Sequence, residues 1–296
     1  MKSLSLRALV LVLTLSLLLF TIVVAAQEKN TSVPTAQPQL VRTTTRHEVR
    51  RFGYGGTVTL VGAPSGSIIV EGWARNEVDV SAEIELRADT EANLSLLAVV
   101  NNVVIDDDVN HIQILSTGTH DKVFMRSAAK KFPKALLGLP WKIDYRIRVP
   151  LMTDLEVNAG HGPITIGGVE GNVRVTATES LANLKMTGGV LSAIIAVGKV
   201  NLEIPARSWA RGSGEIRLAA GDIVVNIPAG FSGDFDAEVL RAGKIENLYE
   251  GLGPRERQSP TPNKMNLRAG AGGASFNLTV GDGTIYIKKQ TVDSKQ

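Results

Sequence analysis

Gly162-Pro163-Ile164-Thr165-Ile166 is followed nine residues later by Gly171-Asn172-Val173-Arg174-Val175, and the shared pattern decides the fold. The pattern is Gly, any residue, a β-branched residue, any residue, then an aliphatic one. It starts again at Gly56, Gly66, Gly198, Gly214, Gly221 and Gly283, the last as Gly283-Thr284-Ile285-Tyr286-Ile287. Glycine permits a sharp bend, and strict alternation after it gives a short strand with one dry and one wet face. Each copy therefore reads as a corner followed by a rung. Ile166, Val175, Leu184 and Leu202 keep a nine-residue phase, with Ala193 in the remaining slot. Two such units would make one coil of a stack in which each coil covers the apolar face of the last.

The fold class expected is all-β: a right-handed β-solenoid of short Gly-punctuated strands, carrying one short helix and a hairpin insertion. An antiparallel β-sandwich is the alternative, because it also shows short alternating strands with regular turn signals. The spacing predicts inward positions at Ile164, Ile166, Val173, Val175, Val200, Leu202, Ile216 and Leu218 within consecutive strands over 150–248. Composition agrees: 29 Gly and only 5% aromatic residues among 296 leave a core of Val, Ile, Leu and Ala with many tight bends.

Toward the N-terminus, Lys2 and Arg7 precede an almost wholly apolar run, Leu9 to Val24, and Val24-Ala25-Ala26 offers small residues before Gln27. This predicts a signal peptide over 1–26, cleaved near Gln27, with an uncleaved anchor as the alternative. The protein is then exported: periplasmic, cell-surface or secreted. Residues 27–45, rich in Thr, Gln and Pro, read as a flexible tether. The repeat domain is placed at 46–289 with an insertion over 88–141, and 290–296 is a tail.

The insertion departs from the repeat. Asp89 to Leu97 has helical spacing, and Val99–Ile105 with His111–Leu115 reads as a hairpin around Asp106-Asp107-Asp108-Val109-Asn110. Then Lys122 to Trp141, KVFMRSAAKKFPKALLGLPW, interleaves Lys122, Arg126, Lys130, Lys131 and Lys134 with Phe124, Phe132, Leu136, Leu137, Leu139 and Trp141, without an acidic residue. Lys122, Arg126, Lys130, Lys131, Phe132, Lys134 and Trp141 are the candidate surface contacts, suited to an anionic membrane or polymer. The alternative is a cap whose apolar residues close the end of the stack while the lysines stay wet. Farther on, Pro254, Pro260 and Pro262 argue against a continuous strand through 249–266.

Three stretches carry a family resemblance: Gly66-Ser67-Ile68-Ile69-Val70-Glu71-Gly72-Trp73, Tyr145-Arg146-Ile147-Arg148-Val149-Pro150, and Leu155-Glu156-Val157-Asn158-Ala159-Gly160 leading into the Gly162 rung. With the closing Gly283 rung, they make residues 46–289 resemble a bacterial family of extracytoplasmic adhesin-like β-strand-repeat proteins, a domain of unknown function. The resemblance implies a β-helical stack after a signal peptide and transfers no catalytic residue. Residues 178–195 lack the regular rung, so a break in the repeat is expected there.

Chemistry-bearing motifs are scarce. The chain contains no Cys, which removes disulfides, thiolate metal ligands and Cys nucleophiles. His47, His111, His120 and His161 sit at no metal-ligand spacing. His161, between two glycines, reads as turn decoration, with no nearby Ser or acid in a familiar arrangement. The Asp106–Asp108 run lacks a Ca²⁺-loop spacing, and Gly270-Ala271-Gly272-Gly273 lacks the Lys-Ser/Thr of a phosphate loop. Without Lys2 and Arg7 the chain keeps 30 of its 32 Lys+Arg against 29 Asp+Glu, a net +1, so no nucleic-acid partner is expected. No cofactor is expected either. The reading is a non-catalytic surface or envelope interaction module whose partner is an envelope polysaccharide, an anionic membrane surface or another envelope protein. The competing reading is a β-helical polysaccharide-acting enzyme.

Overall fold

The computed structural model describes residues 40–128, 131–204, 209, 212–255 and 260–290. They form an all-β structure in which seventeen strands join one mixed sheet. The repeat rungs lie at its centre and run parallel. Strand β8 (Asp154–His161) and strand β9 (Ile164–Gly167) both pair with β10 (Val173–Lys185), β8 with its first half and β9 with its second. Strand β11 (Val190–Glu203) continues on β10, β12 (Ser213–Ile227) on β11, and β17 (Ala274–Lys289) on β12.

Register explains the nine-residue phase. Val157, Val175, Ala193, Ile216 and Leu278 are direct neighbours along one row, while Ile166, Leu184, Leu202, Val225 and Ile287 are neighbours along the other. All ten are buried. From β8 through β10 to β11 the true step is 18 residues, as the Asn201 to Asn183 side-chain bond across neighbouring rungs shows, and insertions lengthen the later steps to β12 and β17. Nine residues carry the chain from one row to the other. The eight positions expected to face inward are all buried.

Rungs that read as separate short strands are joined in pairs into long bent ones, because no loop is needed where one residue can turn the chain. Gly221 has φ +128, and a Cβ there would sit 1.7 Å from the Gly198 carbonyl oxygen. Gly198, Gly221 and Gly283 stack as one column, so the bend recurs at the same height in every rung. Ser180 occupies this column between Gly162 and Gly198. The break expected over 178–195 is therefore absent: Ala182 and Leu184 are buried in register, and a serine replaces the glycine.

Antiparallel pairing occupies the two ends. On one side β1 (Leu40–Arg51) pairs with β4 (Glu77–Ala88) and β4 with β7 (Trp141–Pro150), while β7 lies parallel to β3 (Ile68–Trp73). The tether read over 27–45 thus overlaps a strand, since residues 40–45 are paired in β1. Val41 and the run Thr43-Thr44-Thr45 are β-branched and give that stretch strand character despite its polarity. The helix forms as α1 (Glu91–Val100), with the Thr90 side chain accepting from Asn93 N at 3.2 Å and Leu94, Leu97 and Val100 buried. The hairpin forms with shifted bounds, as β5 (Asn102–Asp108) and β6 (His111–Thr117): Val99 and Val100 belong to α1, Asp106–Asp108 pair within β5 and leave Val109-Asn110 as the turn, and β6 docks parallel to β2 (Thr57–Ser65).

On the other side are β13 (Gly233–Val239), β14 (Gly243–Leu248), β15 (Leu252–Pro254) and β16 (Lys264–Ala269), the last two interrupted as the prolines require. Here the aliphatic core gives way to aromatics. Phe235 stacks on Phe276 at 4.9 Å, and Trp209 meets Phe276 edge-on at 5.1 Å. Gly214 stands beside the Phe276 ring, where a Cβ would come within 2.7 Å of it. Residues 1–26, read above as a signal peptide, residues 27–39 of the stretch read as a tether, Lys130 and residues 291–296 of the tail lie outside the described residues. No helix among the described residues is long and apolar enough to cross a membrane.

Candidate interaction surface

Between β6 and β7 the chain leaves the sheet. A second helix, α2 (Lys122–Ala128), and a single 3-10 turn at Lys134–Leu136 lie in the gap. Asp121 starts the helix: its Oδ1 accepts from Val123 N at 2.8 Å and Phe124 N at 3.0 Å, satisfying donors left free in a first turn. Pro133 precedes the 3-10 turn.

The apolar and cationic residues of this segment separate by face. Leu136 is buried, Met125 nearly so, and Phe132, Leu139 and Trp141 pack against the core. Trp141 lies 5.2 Å from the His120 ring and fills the space beside Gly118, where a Cβ would come within 2.6 Å of the indole. Buried Asn101 ties down the segment's start, its Oδ1 accepting from Thr119 N at 2.9 Å. Phe132 and Trp141 are thus half-buried, each with one side on the core and the rest of its surface accessible. Val123 and Leu137 are the exposed apolar residues of the segment.

Lys122, Arg126, Lys131 and Lys134 are all exposed, and among the described residues none of them makes an ion pair. Elsewhere many cations meet acids on neighbouring strands, although Arg46, Arg51, Arg146 and Lys199 make no ion pair among the described residues either. Arg268 holds Asp234 at 2.6 Å, Arg255 holds Asp236 at 2.8 Å and Lys264 lies 3.4 Å from Glu238. Desolvation holds the His120 imidazole below its usual value, against a smaller upward pull from Asp121, even though part of the ring remains exposed.

The other candidates are placed as follows. Asp107 of the acidic run lies 3.5 Å from Arg50, and Asp108 caps its own turn by accepting from Val109 N at 2.5 Å. The Gly270–Gly273 stretch is a turn in which Ser232 Oγ accepts from Ala271 N and donates to the Gly272 carbonyl. His161 has a neighbourhood that its linear sequence conceals: register sets Ser65 on one side and Glu179 on the other. No hydrogen bond joins the three side chains among the described residues, and His161 Nδ1 lies 3.4 Å from the Pro64 carbonyl. No cluster of three potential metal ligands occurs among the described residues.

No family model matches the chain, and no curated protein matches it. Solved structures do. A candidate cell adhesion protein from Clostridium sporogenes is 13% identical, covering 83% of this chain and 100% of its own, with a TM-score of 0.46. A candidate adhesin from Bacteroides fragilis is also 13% identical, covering 83% and 97%, with a TM-score of 0.23. A candidate lipid-binding protein from Parabacteroides distasonis is 13% identical over 84% and 97%, with a TM-score of 0.22.

Proposed function

We propose that this chain is an exported, non-catalytic β-solenoid that presents the face of residues 122–141 to an anionic envelope surface. The solenoid reading is supported by the 18-residue step, the parallel rungs and the column of bends. One observation carries the functional reading. Four cations within thirteen residues are exposed without an acidic partner among the described residues, on a segment where Leu136 is buried and Phe132, Leu139 and Trp141 pack against the core while Val123 and Leu137 stay exposed. An unpaired cation keeps its full attraction for an external anion, whereas a paired one must first give up its acid.

The contact is electrostatic and shallow. Each basic residue near an anionic surface contributes about 1 kcal/mol, so three together correspond to roughly a hundredfold in affinity at low salt. The test is the full chain carrying Lys122→Gln, Lys131→Gln and Lys134→Gln. It is compared with the unaltered chain on vesicles containing phosphatidylglycerol and on vesicles of phosphatidylcholine alone. The apolar run at 9–24 is common to both proteins, so the difference isolates the cations. Affinity for the anionic vesicles should fall by roughly that factor and lose most of its salt dependence, with folding unchanged. Equal binding by the two proteins would mean that the segment only caps the stack.

A further inference from the structure

Strand β1 stands out among the strands because nothing on it is buried: every residue from Leu40 to Arg51 is exposed or half-exposed. Its whole length pairs with β4 on one side. Among the described residues, no strand pairs with its other edge. Proteins usually shorten, bulge or cover such an edge, because its free N–H and C=O groups are a template for another strand. Here the edge is twelve residues long, and Leu40, Val41 and Val49 leave 46%, 54% and 44% of their surface exposed on it.

We infer that the free edge of β1 is a homodimer interface, occupied by β1 of a second copy running antiparallel. The argument is register. A two-fold axis keeps the outer face of one sheet continuous with that of the other only when odd residues oppose odd and even oppose even. Centred on Thr45, such a pairing sets Val41 against Val49, Thr43 against His47 and Arg42 against Glu48, each pair made twice. One face thus gains two apolar contacts and the other two ion pairs, both of which stabilise cross-strand neighbours.

Neighbouring registers lose this match. Moving the axis to Arg46 sets Arg46 against its own copy and Arg42 against Arg50, while moving it to Thr44 sets Arg42 against Arg46. Like charges directly opposite are destabilising. Moving it to His47 restores an Arg46–Glu48 pair but leaves Leu40 and Val41 without partners. The in-chain contacts are compatible with the Thr45 register. Arg42 already meets Glu91 and Ser95 of α1, and Glu48 meets Arg50, so each cross-chain pair extends an existing cluster.

The absence of cysteine makes the test clean. The full chain should sediment at twice its monomer mass, and Glu48→Arg, which opposes Arg42 of the second copy with a like charge, should raise the dimer dissociation constant about tenfold. On mild oxidation Thr45→Cys should cross-link to itself. Thr43→Cys alone should not, but should cross-link when mixed with His47→Cys. A monomer at all concentrations, or mutual cross-linking at Thr43→Cys or His47→Cys as efficient as at Thr45→Cys, overturns the proposal. So would a dimer that Glu48→Arg leaves intact.

Discussion

Replacing Gly221 with alanine should damage this protein far more than a glycine-to-alanine change usually does. Gly221 has φ +128, where an L-residue is strained by roughly 1–2 kcal/mol. The added Cβ also has nowhere to go: it would lie 1.7 Å from the Gly198 carbonyl oxygen, a backbone atom that cannot rotate aside. Relieving such an overlap costs about 1–3 kcal/mol. Alanine restricts the unfolded chain, which returns about 0.4–1 kcal/mol. The net is a loss of about 2–4 kcal/mol, a large fraction of a typical folding free energy of about 5–15 kcal/mol. Gly167→Ala is the control, since a Cβ there meets only Lys185 Cβ at 3.9 Å. Chemical denaturation of both variants measures the difference as a shift in midpoint at unchanged slope. If Gly221→Ala and Gly167→Ala unfold at the same midpoint, the stacked bends do not carry the fold.

Ser180→Ala should be neutral or slightly stabilising by the same assay, because the serine hydroxyl is buried in the bend column without a hydrogen-bond partner. Phe276→Ala should cost about 3–5 kcal/mol, since it removes a fully buried ring stacked on Phe235 and touched by Trp209. Acidification should loosen the 119–141 segment before the rungs. The folded state holds His120 below its unfolded value, so its contribution is complete above about pH 6.5 and declines as pH falls toward the folded value. As pH falls through that range, amide protection corrected for the intrinsic exchange rate should drop around Thr119 and Trp141 while that of Val175 and Leu202 stays high.

The repeat was legible because period-two alternation and the glycine corner are local properties of the chain. Ile164, Val175, Leu202 and Ile216 could be placed inside from their spacing alone, and the structure buries all four. Two features escaped because they are properties of neighbouring rungs. Ser180 does not look like a bend residue until its alignment with Gly198 is known, and the 18-residue step cannot be told from nine while the two rows read alike. Strand β1 escaped for the opposite reason: its Thr and Gln-rich approach resembles a tether, and only pairing with β4 reveals the strand.

The interaction segment was legible in composition and illegible in geometry. A run that mixes Lys with Phe, Leu and Trp fits both a cap and a contact surface, and the structure separates its side chains into ones packed on the core and ones left exposed. Leu136 and Trp141 turn inward because the end of the rung stack needs covering, and Asn101 and Gly118 shape the space that receives them. Once those anchors are seated, α2 and the turn after it have little freedom left, so the lysines are held outward by packing rather than by any partner of their own. Cations presented this way require little backbone ordering on meeting a flat anionic surface, because the helix and turn that carry them are already formed. A sequence records which residues are charged; the alternation of anchors with charges is what turns a basic stretch into a face.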